Sequence, residues 1–560
     1  MNASGHRHVI EAGDSALLLQ IVPRPTATQP DAFETDVNRE AVGIGEAIRR
    51  TQLHGVRDVV STYRSVAVYI DPLEADVDTL KATLESCDSA EGGSRGSRCL
   101  VVPVVYGSEW GPDLGDVATF AGCDTETVVE RHVSGAYRVF MLGFLPGFPY
   151  MAPVDASIAA PRRPTPRVSV PAGSVGIAGE QTGIYPFDSP GGWQIIGRTP
   201  LRLFDPDRDP PALFAPGDLV RFVRADVDAV SGFSGTEVRL KTDTTTPEAV
   251  TVLKPGLLTT IQDHGRWGHQ HLGVPPAGPM DPVAHDLANL LVGNSADAAT
   301  LEATLVAPEL RFEHPVRVAI AGADLAPEVN GVPIPPEMAA DCSPGSVLRF
   351  GRRKAGGRAY VALAGGIDVP VVLGSRATHV QSRMGGIEGR PLRAGDRMSV
   401  GRGLSASPSE PHKARPTRGR YRVAVVTGGA RLRVMRGPQA GSFDAGAFEY
   451  LQRSRFIISP QSNRMGYRLT GARIPIVSAA EMISDATFTG GLQIPPSGEP
   501  ILLMADRQTT GGYPQIAVLI SADMPVAAQL LPGDWIEFEL CTRADAIAAL
   551  IEQRRPNGAD

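Results

Sequence analysis

The stretch GEQTGIYPFDSPGG, residues 179–192, has a partner far along the chain in ADRQTTGGYPQIAV, residues 505–518. Both contain Gln-Thr, then glycine, then Tyr-Pro. Glycine and proline pairs are common turn formers, so one such match carries little information. A match that recurs within an ordered series of motifs instead indicates a duplicated structural unit.

Two further motifs keep the same order in each half. The turns VPAGS (170–174) and IPPSG (494–498) stand before the Gln-Thr loops. The segments FAPGDLVRF (214–222) and LLPGDWIEFEL (530–540) stand after them. Because three motifs recur in one order, the sequence predicts an internal repeat that places similar loops on two facing walls of one site.

The composition predicts a mainly β protein of several domains. A chain of 560 residues exceeds what one hydrophobic core usually organises. Its 61 glycines and 48 prolines are spread along the chain, as in folds of short strands joined by tight turns. RAYVALAGG, RVAVVTGG, EPILLMAD and DWIEFEL predict strands. Helical apolar spacing appears in DAFETDVNREAVGIGEAIRR, VDTLKATLESC, TETVVERHVSG, DPVAHDLANLLVGN and RADAIAALIEQRR.

Several classes of protein are disfavoured. The net charge of −7 and the absence of basic blocks argue against a nucleic-acid partner. No apolar run has the length of a membrane helix, and no membrane association is expected. The five cysteines lack CxxC spacing, which argues against a disulfide framework and a zinc site. The N-terminus has no leader pattern, so a reducing, cytoplasmic location is predicted.

Longer motifs carry a family resemblance. GDSALLLQ (13–20), YRVFMLGFLPGFPYM (137–151) and PRRPTPRVSVPAGSVGIAGEQTGIYPFDSPGGWQIIGRTP (161–200) resemble the B subunit of bacterial 5-oxoprolinase, a family that includes a histidine-kinase inhibitor. TTIQDHGRWGHQHLGVPPAGPMDPVAHDLANLLVGN (259–294), LGSRATHVQSRMGGIEGRPLRAGD (373–396), RMGYRLTG (464–471) and PILLMADRQTTGGYPQIAVLISAD (500–523) resemble the C subunit of that enzyme. The same modules resemble the carboxyltransferase-like part of urea carboxylase.

The resemblance implies a fusion of the B and C subunits, with cyclophilin-like β-barrels in both halves and a small α+β domain at the N-terminus. Against this pattern, His264 stands where an apolar residue is expected, Met280 replaces alanine, and Asp485 replaces glutamate. The predicted divisions are an N-terminal α+β domain, a barrel of carboxyltransferase subdomain C/D type, a polar linker, a C-like half with two barrel-like units of subdomain A/B type, and a C-terminal helix and tail. These are residues 1–95, 96–224, 225–248, 249–540 and 541–560.

The activity implied is ATP-dependent opening of 5-oxoproline, a five-membered lactam, to glutamate, together with a separate A subunit. ATP and Mg²⁺ follow from the resemblance alone, because no GxxxxGK[ST] or GxGxxG loop is present. The chain has no Met-Lys-Met biotin acceptor, so no biotin is expected on it. A homo-oligomer is compatible with the sequence.

Lactam opening needs cations for carboxylate and phosphate, donors for a developing oxyanion, and a carboxylate to position a metal or water. Arginine supplies planar bidentate donors, and the candidates for binding anionic groups are Arg266, Arg464, Arg468 and Arg507. Asp263 and Asp506 are the candidate acids. For each arginine, a surface ion pair is the alternative.

Donors are predicted from the two repeated loops. Gln181 and Tyr185 in the first loop, and Gln508 and Tyr513 in the second, are expected to orient the substrate between the halves, beside glycines that let backbone amides approach a ligand. The alternative for each tyrosine is packing in a barrel.

Histidines offer two further hypotheses. His132 is a candidate general base, against a structural role near a helix end. His264, His269 and His271 invite a metal interpretation, but they lack HExxH spacing, and no metal site is predicted.

Two other functions remain open. One is a urea or allophanate-pathway component that acts on a small amide. The other is a regulatory inhibitor of a sensor histidine kinase.

Overall fold

The computed structural model describes residues 6–22, 35–89, 98–226, 248–401, 426–476 and 482–554. These residues form a four-stranded N-terminal sheet with two helices, a first closed barrel, a two-sheet unit and a second closed barrel. The predicted linker at 225–248 lies almost wholly outside the described residues, and so does the end of the predicted tail. The mainly β class and the barrels in both halves are confirmed.

The N-terminal domain is an antiparallel sheet of order β1-β2-β4-β3. Its elements are β1 (Arg7–Glu11), β2 (Ala16–Ile21), α1 (Thr35–Thr51), β3 (Val56–Ser61), β4 (Ser65–Ile70) and α2 (Val77–Ser86). Strand β2 is apolar on both faces because both are covered. Leu17 and Leu19 pack under the helices, whereas Ala16 and Leu18 pack against Val518 of the second barrel.

The first barrel closes in the order β10-β7-β6-β13-β5-β12-β9, and β8 and β11 form a separate hairpin. Its elements are β5 (Cys99–Tyr106), α3 (Leu114–Ala121), α4 (Thr125–Ser134), β6 (Tyr137–Leu142), β7 (Pro149–Ala152), β8 (Arg167–Val170), β9 (Ser174–Ala178), β10 (Gln181–Ile184), β11 (Ser189–Gly191), β12 (Gln194–Arg198) and β13 (Leu219–Arg224).

The middle unit consists of a seven-stranded and a five-stranded open sheet. Its elements are β14 (Glu248–Lys254), β15 (Leu258–Gln262), α5 (Pro282–Leu291), β16 (Thr300–Thr304), β17 (Glu309–Phe312), β18 (Val316–Asp324), β19 (Pro327–Val329), β20 (Val332–Pro333), β21 (Ala339–Cys342), β22 (Val347–Phe350), β23 (Ala355–Leu363), β24 (Ile367–Asp368) and β25 (Arg397–Val400). Where the sequence predicts a barrel-like unit, the chain crosses between two sheets that share one core. Val250 and Leu310 from one sheet pack against Leu301 and Val361 from the other.

The second barrel closes in the order β26-β33-β30-β31-β28-β27-β34. Its elements are β26 (Gly429–Arg436), α6 (Ala445–Arg453), β27 (Arg455–Ile458), β28 (Gly466–Gly471), β29 (Asp485–Ala486), β30 (Gly491–Gln493), β31 (Ile501–Leu503), β32 (Thr510–Gly511), β33 (Gln515–Leu519), α7 (Met524–Gln529), β34 (Trp535–Leu540) and α8 (Arg543–Arg554). Strands β29 and β32 form a hairpin outside the barrel.

The two barrels have one topology. In each, the last strand pairs in parallel with the first, β13 with β5 and β34 with β26, and the other neighbours follow in matching order. The Pro-Gly-Asp motif makes the same turn before each last strand. Asp218 accepts a hydrogen bond from the amide of Ala215 at 2.8 Å, and Asp534 accepts one from Leu531 at 2.9 Å. The predicted repeat is therefore present.

The register predicted between the two Gln-Thr loops is wrong. Gln181 begins β10, whose counterpart is β31, but Gln508 follows β31. The hairpin strand β11 corresponds instead to β32, so Gly191 and Gly192 match Gly511 and Gly512. The similarity of the two short sequences does not show that they occupy equivalent positions. The Gln-Thr pair begins a strand in the first barrel and follows a strand in the second.

Each of the five predicted helical segments contains a helix, at α1, α2, α4, α5 and α8, while α3, α6 and α7 are additional. Three predicted strands correspond to β23, β31 and β34, and the first half of RVAVVTGG, residues 422–425, lies outside the described residues. Among the helices described here, none has the length and apolar character needed to span a membrane.

Candidate functional site

The N-terminal domain and the two barrels meet along one line of contacts. The amide of Phe144 donates to Thr510 Oγ1 at 2.9 Å, which joins the first barrel to the second. The Tyr63 hydroxyl donates to Gln181 Oε1 at 3.2 Å, which joins the N-terminal domain to the first barrel. A Cβ at Gly512 would lie 3.4 Å from Arg162 Nη1. We call the group made of Tyr63, Tyr150, Arg162, Tyr185, Thr510 and Gly512 the seam.

An aromatic cluster supports the seam. Phe148 packs edge-on against Tyr150, Tyr185 and Trp193, with ring centroids 4.9, 5.2 and 5.4 Å away. Edge-to-face contacts at these distances fix the ring orientations. Burial raises the pKa of Tyr63 and of the other two seam tyrosines. Their hydroxyls therefore stay protonated at ordinary pH and can serve as hydrogen-bond donors.

Arg162 supplies the positive charge of the seam. Burial raises the pKa values of Tyr63, Tyr150 and Tyr185, and the charge of Arg162 lowers them by a smaller amount. Arg162 is half-buried and makes no hydrogen bond or ion pair with any residue in the described part of the chain. A half-buried arginine with unused planar donors suits a carboxylate ligand.

Hydroxyl groups and a half-buried acid line the second-barrel side. Burial raises the pKa of Tyr150, and the side chains of Thr510 and Ser484 lower it by a smaller amount. Asp485 accepts a hydrogen bond from Ser65 Oγ at 2.5 Å and one from Thr62 Oγ1 at 3.2 Å. These two hydrogen bonds hold the N-terminal domain against the second barrel. The family resemblance predicts glutamate at this position, and the aspartate makes these contacts. Burial raises the pKa of Asp485.

Arg507 anchors the loop that carries Thr510 and Gly512. Its guanidinium donates to Gln270 Oε1 at 2.7 Å and to Thr489 Oγ1 at 3.0 Å, and it lies 5.2 Å from the centroid of the Tyr69 ring. It is fully buried and makes no ion pair with a described residue. Burial lowers the pKa of Arg507. In this geometry Arg507 joins the loop to two other parts of the chain.

Arg464 and Asp506 form a buried ion pair. Arg464 Nε and Nη2 each donate to the Asp506 carboxylate at 2.9 Å, and Nη1 pairs with Glu302 of the middle unit. Although burial lowers the pKa of Arg464, the two carboxylates raise it above its ordinary value. Every nitrogen of this guanidinium is occupied, so the cluster joins the middle unit to the second barrel.

Asp263 and Arg266 lie in the turn after β15. Asp263 accepts from the amides of Gly265 at 2.9 Å and Arg376 at 2.5 Å, which ties two loops together. Arg266 is 1% exposed and donates to the Ala377 carbonyl, while its Nη1 has no partner among the described residues. Burial lowers the pKa of Arg266 to about 10.

His132 lies in the interior of the first barrel. Its Nδ1 hydrogen-bonds to the Tyr106 hydroxyl at 2.8 Å and its Nε2 to Thr182 Oγ1 at 3.1 Å. The side chain is fully buried, and burial lowers its pKa to about 3. Both ring nitrogens are thus used in packing the barrel. The general-base role predicted for His132 stays a prediction that these contacts do not favour.

The remaining predicted residues are spread out. Gln181 contacts Tyr63 as described, and Tyr185 belongs to the seam. Gln508 and Tyr513 are half-buried on either side of β32. Arg468 lies on β28 with its side chain exposed. The structure therefore brings Tyr185 and Gln181 to the seam, places Arg507 behind it, and leaves Arg468 outside.

The three histidines His264, His269 and His271, for which no metal site is predicted, do not form one ligand set among the described residues. His264 instead pairs with Asp286 at 2.7 Å and lies near His285, a set close enough together to hold a metal ion. His285, however, uses Nδ1 on Thr300 Oγ1 at 2.9 Å and Nε2 on the Ala296 carbonyl at 3.0 Å. Because a metal would have to displace one of these contacts, the set carries no metal assignment.

Sequence reasoning missed Tyr63, Tyr150, Arg162 and Thr510. Arg162 lies in PRRPTPR and Tyr150 in GFPYM, two strings that carry the family resemblance, and this was the available signal. Thr510 directly follows the predicted Gln-Thr pair. Tyr63 has no local signal, because only the fold brings the β3–β4 turn to the first barrel.

Comparison with known proteins places the chain in a class. A family described as carboxyltransferase domain, subdomain A and B, matches residues 272–540, and one described as carboxyltransferase domain, subdomain C and D, matches residues 9–214. The chain is 38% identical to the 5-oxoprolinase C subunit of Escherichia coli K12 over 304 residues, which cover 95% of that protein and 54% of this chain. It is 39% identical to the 5-oxoprolinase B subunit of Bacillus subtilis 168 over 235 residues, which cover 93% of that protein and 39% of this chain.

The chain is therefore a carboxyltransferase-domain protein. It belongs to the families of the 5-oxoprolinase B and C subunits, with the B-like half first. The crystal structure of TTHA0988 superposes with a TM-score of 0.80 at 34% identity and covers 94% of this chain and 99% of that one. The urea amidolyase of Lachancea kluyveri is 33% identical over 307 residues, but this match spans only 17% of that enzyme.

Proposed function

We propose that this chain is the B/C component of an ATP-dependent 5-oxoprolinase, which opens 5-oxoproline to glutamate together with a separate A subunit. The observation that carries the proposal is the seam, where Arg162 has unused donors beside three buried tyrosines at the junction of the B-like and C-like halves. The relatives named as the B and C subunits of this enzyme support the same assignment.

The seam matches the chemistry of 5-oxoproline, which carries one carboxylate on a nearly flat five-membered lactam. Arg162 would bind the carboxylate through its planar fork. The hydroxyls of Tyr150 and Tyr185 would donate to the lactam carbonyl oxygen, while Tyr63 keeps its hydrogen bond to Gln181 Oε1. Donors aimed at that oxygen stabilise the negative charge that develops when the amide bond is attacked.

The seam does not fit a magnesium nucleotide. Among the residues described there, the free cation is Arg162 and the nearby carboxylate, Asp485, is already held by Ser65 and Thr62. Mg²⁺ usually needs carboxylate ligands together with phosphate oxygens. No step of the reaction is therefore assigned to ATP at this position, and use of ATP is proposed for the assembly with the A subunit.

Reconstitution tests the proposal. The purified chain is mixed with the A subunit from the same organism, ATP, Mg²⁺ and 5-oxoproline, and glutamate and ADP are followed together, with each protein alone as control. We expect both products only when both proteins are present. No glutamate from the mixture, with ADP formed when urea replaces 5-oxoproline, would overturn the lactam assignment in favour of a urea-type reaction.

A further inference from the structure

A cleft of about 560 Å³ lies between the N-terminal domain and the second barrel, away from the seam. Ile10 and Glu11 of β1 and Lys81 of α2 line one wall. The end of β26, the turn at 437–441 and the start of α8 line the other. Its volume falls within the roughly 300–1,000 Å³ of small-molecule sites.

The cleft is positively charged in a chain whose net charge is −7. Lys81, Arg436 and Arg543 line it, and Glu11 is the only acidic side chain among the described lining residues. Glu11 already pairs with Lys81 at 2.6 Å. Three cations from three separate elements thus face one acid, and two positive charges remain without an acid in the lining.

Both arginines have donors to spare. The Arg436 guanidinium lies 4.1 Å from the centroid of the Phe448 ring and makes no ion pair with a described residue. Stacking of this kind holds the planar group in place while its edge stays free. Arg543 Nη1 is buried without a hydrogen-bond partner in the described structure. Burial raises the pKa of the nearby Asp14 and the charge of Arg543 lowers it slightly, and Asp14 is itself hydrogen-bonded to Ser521.

We propose that this cleft binds a small phosphate-bearing molecule of about nucleotide size. The forks of Arg436 and Arg543 would bind phosphate oxygens, because arginine pairs with phosphate bidentately. Lys81, which is paired with Glu11, forms part of the opposite wall. This inference rests on the cleft alone and does not depend on the reaction proposed for the seam.

A ligand in the cleft would bridge two domains. Lys81 belongs to the N-terminal domain, whereas Arg436 and Arg543 belong to the second barrel. The same two domains meet at the seam, where Ser65 holds Asp485. Binding would therefore stabilise the junction that positions Tyr63, and would raise the melting temperature of the chain.

Calorimetric titration of the purified full chain with ATP and, separately, with sodium tripolyphosphate tests the proposal. We expect at least one to bind, and Arg436→Ala to weaken that binding roughly 10- to 100-fold. The matched control is Arg431→Ala, which removes an exposed arginine of the same strand that pairs with Glu537. Since Arg436 is exposed, its variant should fold, and Arg543→Lys gives a second variant that keeps the charge.

Equal binding of ATP and tripolyphosphate would support recognition of phosphate alone, and Arg436-dependent binding of ATP only would support a nucleotide. Absence of binding by both compounds at millimolar concentration would overturn the proposal. So would equal affinities of Arg436→Ala and Arg431→Ala. Because the titration involves neither the A subunit nor 5-oxoproline, its failure leaves the function proposed for the seam untouched.

Discussion

Thr510 Oγ1 of the second barrel accepts a hydrogen bond from the backbone amide of Phe144 in the first barrel at 2.9 Å, across 366 positions of sequence. The Thr510 side chain also lowers the pKa of Tyr150, against the larger effect of burial. One side chain thus joins the turn after β6 to the hairpin of β29 and β32. The position of the seam depends on this contact.

Replacing Gly143 tests the contact directly. A Cβ at Gly143 would overlap Thr510 Oγ1, so Gly143→Ala forces the two barrels apart locally. We expect a loss of about 1–3 kcal/mol in unfolding free energy, as for other overpacked sites, together with reduced activity. Urea denaturation measures the first and the reconstituted assay the second. Gly115→Ala in α3, which meets nothing within 4 Å, is the control and should not destabilise. Equal stability of the two variants would contradict the described contact.

Arg162→Ala should raise the KM for 5-oxoproline roughly 10- to 100-fold, because a charge-assisted hydrogen bond to the carboxylate is lost. The melting temperature should change little, since Arg162 has no partner among the described residues. Arg162→Lys should recover part of the affinity. Arg453→Ala, which removes a largely exposed arginine on α6, is the surface control. An unchanged KM in Arg162→Ala would show that the carboxylate of 5-oxoproline does not bind to Arg162 in the seam.

The buried cluster of Arg464, Asp506 and Glu302 should behave as one unit. Arg464→Met leaves two buried carboxylates without their cation and should cost about 3–5 kcal/mol in unfolding free energy. Adding Asp506→Asn should recover part of this loss, which a double-mutant cycle would detect. Arg455→Ala, which breaks an exposed pair with Glu537, should have a much smaller effect. Additive losses in Arg464→Met and Asp506→Asn would contradict the description of one coupled cluster.

Protonation of His132 should lower the stability of the folded chain in acid. It should not contribute to the pH dependence of the reaction rate near neutral pH. Burial lowers its pKa to about 3, whereas the unfolded chain takes up the proton near pH 6.5. Its contribution to stability is therefore complete above pH 6.5 and is lost as the pH falls towards 3. Denaturation midpoints between pH 7 and 4 should fall less steeply in His132→Gln than in the unsubstituted chain. A rate limb near pH 6–7 that disappears in His132→Gln would instead support a general base.

Part of the candidate site could be predicted because some of its residues lie in motifs that can be recognised from neighbouring residues. Tyr185 and Gln181 stand in a motif long enough to be recognised, and both lie at or beside the seam. Arg464 and Asp506 were also candidates from the sequence, and the structure joins them in a buried ion pair, while their predicted roles stay predictions. Their occupied donors and acceptors could not be predicted, because whether an arginine faces a ligand or a carboxylate depends on its neighbours in space.

The repeated strands, their Pro-Gly-Asp turns and most of the helices were readable from the amino-acid sequence, because these features depend on residues a few positions apart. Local properties include the periodicity of apolar residues and the preference of glycine for positive φ. The hydrogen bond that an aspartate accepts from the amide three positions earlier is also local. The order of the repeated motifs predicted a duplicated unit, and the family resemblance implied that this unit is a barrel.

Three features became known only from the folded chain. They are the register of the two loops, the burial of Arg507 and the contact between Arg162 and Gly512. These depend on contacts between residues hundreds of positions apart, which no local pattern encodes. The closure of each barrel fixes which loop lies at its rim, and the packing of the N-terminal sheet against the second barrel fixes which rims meet. The seam is therefore a product of domain packing.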